Sequence, residues 1–180
     1  MPLPEIDDRR LRTACEEKVD LLNLPHRFKT RELQEAISGL RRKRIILKPL
    51  NTIGALGAPC GMRIETPAAD ILYYEEGTSV HHQRHILTHE LCHVYCNHPG
   101  SLQIEVDAAQ ALGVNPTLVM RMSGRTGYST ADEREAEMMA TVIRQRIYRE
   151  RESASRTPAR GPDSWDALFS QPIKKRRCRS

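Results

Sequence analysis

The feature that most constrains this chain is the segment HILTHELCHVYCNH, residues 85–98, which contains four of the seven histidines. Its apolar residues recur at helical spacing, at Ile86, Leu87, Leu91, Val94 and Tyr95. Such spacing predicts a helix with one buried face, here over residues 79–97 with Thr78 or Ser79 as its N-cap. The fold must therefore pack a histidine-rich helix against its core.

Within this helix, His89, Glu90 and His93 spell the pattern H-E-x-x-H. Histidines four residues apart project from the same side of a helix, so their imidazoles can converge on one tetrahedral zinc ion. Glu90 is placed to take a proton from water rather than to bind the metal. An amphipathic helix with surface histidines is the simpler alternative, but the predicted buried stripe favours the zinc site. We expect the preceding His81, His82 and His85 to face solvent or line a cleft.

A third ligand is predicted on a later helix, because a catalytic zinc takes three protein ligands and keeps one open position. The segment YSTADEREAEMMATVIRQRIYRE, residues 128–150, has the strongest helical pattern in the chain, with Ser129 or Thr130 as cap. Glu133 shares the apolar face with Ala136 and Ala140. An inward carboxylate is costly unless it is paired or bound to metal, so we predict Glu133 as the third ligand.

The other acids of this helix are given different roles. Glu137 lies one turn after Glu133 and is predicted to support His89 or His93. Glu135 is rotated by about 200° from Glu133. We therefore expect Glu135 on a solvated face, where it and Asp132 compensate the helix dipole.

Three further residues near the predicted centre are candidates. Tyr128 precedes the helix and is predicted to donate a hydrogen bond to a developing oxyanion, the alternative being a hydrophobic staple before the cap. Cys92 and Cys96 are also four residues apart, next to His93 and His98. A structural Cys/His zinc site is the alternative, but it lacks a second ligand pair at zinc-finger spacing. We expect them to be buried free cysteines.

The remaining pattern predicts an α+β fold. Helices are expected over residues 8–22 and from Thr30, as N-cap, to Leu40. Three short strands, at 44–49, 60–65 and 70–75, are expected to form a small antiparallel sheet. A weakly marked helix over 101–113 and a short helix from Pro116 to Gly124 complete the predicted elements.

Composition divides the chain into a folded domain, residues 1–150, and a tail, residues 151–180. The tail holds eight Lys/Arg and three Asp/Glu, whereas residues 1–150 carry twenty of each sign. Its Ser-, Pro- and Arg-rich composition predicts disorder, with Trp165, Leu168 and Phe169 as a weak anchor. Its charge would support at most non-specific, salt-sensitive attraction to nucleic acid. No apolar segment suits a signal peptide or a membrane span, so we expect a cytoplasmic protein with reduced cysteines.

The two segments HELCH and GRTGYSTADEREAEMMATVI together resemble the ImmA/IrrE family of zinc metallopeptidases, most closely its short single-domain actinobacterial members. The resemblance covers roughly residues 10–147. It implies a minimal zincin-like metallopeptidase domain and a helix-turn-helix repressor as protein partner. It also implies a role in stress responses or in induction of phage-like elements. The chain departs from the family pattern at Glu137, where Asn or Asp is usual, and has no L-L-M-P-like stretch after the helix.

Two functions are compatible with these residues. The first is an intracellular zinc endopeptidase that cleaves a regulatory protein, with His89, His93 and Glu133 as ligands and Glu90 as base. The second is a zinc-stabilised regulatory module that binds a repressor without cutting it. The same ligands serve both functions, so the sequence leaves them open.

Overall fold

Helices and strands are mixed along the chain in the computed structural model, which describes residues 7–25, 27–51, 61–100, 106–124 and 128–155. These residues form an α+β fold. The helices are α1 (Asp8–Asp20), α2 (Thr30–Arg41), α3 (Val80–Cys96), α4 (Val106–Ala111) and α5 (Thr130–Ser155). The strands are β1 (Arg44–Leu50), β2 (Gly61–Glu65), β3 (Ala69–Glu75) and β4 (Arg121–Gly124).

The ends of the helices follow local capping chemistry. Ser79 caps α3, and its hydroxyl accepts a hydrogen bond from the backbone N–H of His82. At α2 the N-cap is Lys29 rather than the predicted Thr30, because the Glu32 carboxylate accepts from the backbone N–H of Lys29 at 2.9 Å. Helix α3 ends where Asn97 adopts the left-handed conformation, with φ of 55°.

The predicted three-stranded antiparallel sheet is wrong. The observed sheet has four strands in the order β1-β3-β2-β4. β2 and β3 are antiparallel as expected, but β1 runs parallel to β3, with Arg44 opposite Ala69. Residues 69–73 of β3 are all buried, which suits a strand with a neighbour on each side. Strand-like patterns in the sequence identified the three strands but contained no information about which ones pair.

The predicted helix from Pro116 to Gly124 is also wrong beyond its first turn. Pro116–Leu118 forms a single 3-10 turn, capped by Asn115. The chain then extends as β4, which pairs antiparallel with β2. The intrinsic preference of four residues for helix or strand is too weak to determine their conformation. The hydrogen bonds offered by the edge of β2 make this segment a strand. The weak helix predicted over 101–113 is observed as α4, with residues 101–105 outside the described ranges.

Helix α3 lies at the centre of the molecule. It packs on β2 and β3 on one side and on α5 on the other, and α5 also packs on α1. The predicted stripe is buried except for Tyr95, which is half-buried and donates its hydroxyl to the carbonyl of Lys18 at 2.9 Å. The apolar face of α5, including Ala136 and Ala140, is buried in the same core. This packing places the histidines of α3 against the first turns of α5.

Helix α5 continues to Ser155, five residues beyond the predicted end of the domain. The predicted disordered tail, apart from residues 151–155 at the end of this helix, lies outside the described residues, as does its anchor at Trp165, Leu168 and Phe169. Among the described helices, none combines the length and apolar character that crossing a membrane requires.

Candidate metal centre

The structure brings His89, His93 and Glu133 together between α3 and α5. The two Nε2 atoms of His89 and His93 lie 3.0 Å apart. The carboxylate of Glu133 reaches both, with Oε2 at 3.4 Å from Nε2 of His89 and Oε1 at 3.6 Å from Nε2 of His93. These residues, here called the metal-facing group, are the ones that the sequence predicted as ligands. One donor atom from each lies within 4.8 Å of the others.

These separations fit a tetrahedral metal ion. Zinc binds nitrogen and oxygen at about 2.0–2.1 Å, which places neighbouring tetrahedral ligands about 3.3–3.4 Å apart. The observed separations of 3.0, 3.4 and 3.6 Å lie close to this edge length, and the last two are measured to different oxygens of Glu133. A small movement of the carboxylate would let one oxygen of Glu133 and the two Nε2 atoms occupy three corners of a tetrahedron, so the described groups can hold a metal ion.

The centre is open towards solvent on the side of His89. His93 is fully buried, whereas the side chains of His89 and Glu133 are 14% and 25% exposed. A cleft of about 70 Å³ reaches His89 and Glu90, and it is also lined by Gly61, His82, His85 and Glu137. As predicted, His81 and His82 are exposed and His85 lines this cleft. A small reactant can therefore reach His89 and Glu90 from solvent.

Glu90 is enclosed between its own helix and the start of β2. It is buried, and one carboxylate oxygen, Oε2, has no hydrogen-bond partner among the described residues. A methyl group added to Gly61 would lie 2.5 Å from the other oxygen and 2.8 Å from Ile86. Burial, reinforced by the negative charge of Glu133, raises the pKa of Glu90 to about 8, despite the opposing charge of Arg63. A carboxyl group with a pKa near neutrality is suited to accept and return a proton.

His93 is held in its neutral form by its surroundings. Burial lowers the pKa of its imidazole to about 2, and the neighbouring His89, His98 and Arg63 act in the same direction. A neutral imidazole keeps the lone pair that a metal ligand needs. His93 is therefore ready to bind a cation across the ordinary pH range.

A hydrogen-bonded chain extends from His93 away from the cleft. Nδ1 of His93 lies 2.9 Å from Nδ1 of His98, and Nε2 of His98 lies 3.1 Å from Oε2 of Glu135. If His93 offers Nε2 to a metal, its proton is on Nδ1 and is donated to His98. His98 must then carry its own proton on Nε2 and donate it to Glu135. The carboxylate thus fixes the tautomers of both rings.

The structure contradicts the predicted solvated position of Glu135. Its side chain is only 23% exposed, and it accepts a short hydrogen bond from the ammonium of Lys18 in α1. Burial by itself would raise the pKa of Glu135, but the hydrogen bonds from Lys18 and His98 hold it below its ordinary value. The helix phase of Glu135 was correct relative to Glu133. The prediction failed because the side of α5 that carries Glu135 is covered by α1 and residues 96–98 rather than exposed to solvent.

A second set of potential ligands results from this arrangement. Cys96, His98 and Glu135, here called the backing group, also have donor atoms within 4.8 Å of one another. Nζ of Lys18 lies 3.9 Å from Sγ of Cys96. Burial, and next the charge of Glu135, raises the pKa of Cys96 to about 12, so its sulfur remains a thiol. Cys92 is buried and free, as predicted, and Cys96 is free and half-buried.

The two remaining predicted residues both lie beside the metal-facing group. Oε2 of Glu137 is 3.5 Å from Nδ1 of His89 and 3.8 Å from Nε2 of His85. The ring of Tyr128 stacks on His93, with centroids 3.6 Å apart and an interplanar angle of 11°. Its hydroxyl accepts a hydrogen bond of 2.5 Å from Ser123 in β4, and burial raises its pKa.

The contact of His98 with His93 was not predicted from the sequence, although a local signal for it was present. The sequence CNHPG places Asn at the end of a helix and Pro two residues later, which is typical of a left-handed helix terminus. Such a terminus turns the chain back, and here the backbone N–H of His98 bonds to the carbonyl of His93. A histidine directly after that turn is brought against the last turn of its own helix.

No family model, curated protein sequence or solved structure matches this chain. The geometry of its own residues therefore carries the functional interpretation.

Proposed function

We propose that this protein is a zinc-dependent endopeptidase of the ImmA/IrrE type, built on a minimal zincin-like domain. The observation that carries the proposal is the convergence of His89, His93 and Glu133 beside the buried Glu90. Two imidazoles and one carboxylate are the ligand set of a catalytic zinc, and a nearby carboxyl group supplies the base. The proposed substrate is a regulatory protein of the cytoplasm, such as a helix-turn-helix repressor, and the proposed setting is a stress response or phage-related gene regulation.

In this proposal each residue has a distinct task. Zinc, when bound, would polarise the scissile carbonyl and make water more acidic. Glu90 takes the proton from the attacking water and later returns it to the leaving amine. The hydroxyl of Tyr128 already accepts a hydrogen bond from Ser123, so its own hydrogen is available to donate to the developing oxyanion. His98 and Glu135 keep His93 in the tautomer that presents Nε2.

The test compares the wild type with Glu90→Gln, each loaded with zinc and incubated with a peptide library derived from a digested proteome. Mass spectrometry should detect new peptide ends with the wild type and none above background with Glu90→Gln. Elemental analysis should find equal zinc in both proteins. Equal cleavage by both would show that a contaminant or another residue is responsible. Full zinc content without any cleavage would favour the non-cleaving regulatory module.

A further inference from the structure

A second groove lies next to the metal cleft, at the N-terminal ends of α2 and α3 and along α5. It has a volume of about 330 Å³. Its floor is apolar and is formed by Phe28, Ala140, Ile143 and Ile147, with the exposed ring of Tyr148 at its margin. A concave apolar surface of this size accommodates one or two apolar side chains of a ligand.

The rim of this groove is positively charged. Lys29, Arg31, Arg84 and Arg144 line it and are exposed, whereas no Asp or Glu does so among the described residues. Arg31 is paired with Glu35 at 2.8 Å. Arg84 and Arg144 form no ion pair within the described part of the chain. Residues 1–150 carry equal numbers of acidic and basic residues, so this concentration of positive charge is a local property of the groove.

The groove adjoins the metal cleft. His85 lines both, and the next turn of α3 carries His89. A chain bound in the groove therefore lies about one turn of α3 from His89.

We propose that this groove binds an acidic amphipathic peptide segment of a partner protein. One or two apolar side chains of the segment would occupy the floor, and flanking Asp or Glu side chains would pair with Arg84 and Arg144. Charge complementarity selects the partner, and the apolar floor distinguishes a peptide from a simple polyanion. The inference goes beyond peptidase activity, because the same groove would serve a protein that binds its partner without cleaving it.

The test uses the full-length Glu90→Gln protein and a fluorescent twelve-residue peptide in which pairs of Leu alternate with pairs of Glu. Binding is followed by fluorescence anisotropy. The double variant Arg84→Glu/Arg144→Glu should weaken binding at least tenfold. The matched control, Arg9→Glu/Arg10→Glu, changes the net charge equally at the exposed start of α1. Acids are favourable there, so the control should fold normally and change affinity less than twofold.

Two further ligands distinguish the contribution of the apolar floor to binding from that of the charged rim. A peptide with Ser in place of Leu, and a single-stranded oligonucleotide of similar charge, should both bind at least tenfold more weakly than the first peptide. The proposal is overturned if the groove variant and the control bind the peptide equally, or if the Ser peptide or the oligonucleotide binds as tightly. It is also overturned if binding appears only after Trp165→Ala, which would identify the chain's own segment 163–169 as the occupant. Because only binding is measured, each outcome is independent of whether the protein cleaves peptides.

Discussion

The metal-facing group and the backing group are nearly alike in composition, yet they differ in the cation that their ligand atoms can surround. Each combines one carboxylate of α5 with side chains from α3 or the turn after it, and each is compact enough to surround an ion. The backing group already contains a cation, the ammonium of Lys18, which is paired with Glu135. Burial also raises the pKa of its thiol, so a metal ion would have to displace the thiol proton as well as Lys18. Residue types and distances alone do not distinguish a metal site from a hydrogen-bonded cluster, whereas a built-in positive charge does.

The hydrogen bond between His93 and His98 links these two groups. We therefore expect the backing group to support the metal-facing group rather than to compete with it for metal. The comparison therefore predicts a graded series of substitutions, in which the effect on zinc falls with distance from the Nε2 atoms of His89 and His93.

The largest effect is expected for His93→Ala, because this residue belongs to the metal-facing group and also holds His98. We expect about one zinc per chain in the wild type. In the variant the zinc affinity should fall by more than about a hundredfold, because the loss of a ligand exceeds the effect of losing a residue that only hydrogen-bonds to a ligand. Elemental analysis and titration against a chelator measure both quantities. Full zinc occupancy in the variant would show that the ligand set is wrong.

Glu133→Ala should lose zinc almost as completely while leaving the metal-free protein intact. The side chain of Glu133 is 25% exposed, so its removal leaves a gap that water can fill rather than a cavity in the core. Adding a chelator should lower the melting temperature of the wild type but not that of the variant. If the variant retained zinc, Glu133 would not be a ligand.

Glu135→Ala should show the reverse pattern, with a large effect on stability and a smaller one on zinc. Lys18 and His98 both lose a partner, which we expect to cost about 1–2 kcal/mol of unfolding free energy after allowance for the partial exposure of Lys18. Zinc affinity should fall about tenfold through His98. Denaturant unfolding and chelator titration measure the two effects.

The same substitution has a predicted pH dependence. The pKa of Glu135 is below its ordinary value in the folded protein, so its stabilising contribution is present above the unfolded pKa. That contribution is lost as the pH falls through the folded pKa, and the difference between wild type and Glu135→Ala should shrink below about pH 4. A difference that stays constant down to pH 2 would contradict the assigned ion pair.

Cys96→Ser should have the smallest effect. If the backing group only supports His93, removing its thiol should leave the zinc stoichiometry unchanged and the zinc affinity unchanged within about twofold. The reason is that the hydrogen bonds from His93 run through His98 to Glu135 and do not include Cys96. A second zinc per wild-type chain that disappears in Cys96→Ser would reverse the comparison and make the backing group a metal site.

The helices and ligand residues of this site could be predicted from the sequence, whereas the contacts that surround them could not. The helices carrying His89 and Glu133, and the phase that turns Glu133 inward, follow from periodicity within single helices. The position of Glu135 depends on Lys18, which is 117 residues away in the chain, and no pattern within α5 contains that contact. The same limit explains β4 and the parallel pairing of β1, because strand partners are chosen by the assembled sheet rather than by each strand.

The order in which the chain supplies these residues has a consequence for its biosynthesis. Glu133 follows His93 by 40 residues, and α5 must also meet α1 before Lys18 reaches Glu135. A nascent chain that has emerged from the ribosome only as far as α3 can present two histidines, but it cannot complete either group. The proposed chemistry would thus begin only after α5 has been synthesised and has docked, so that a partly made chain carries no working site.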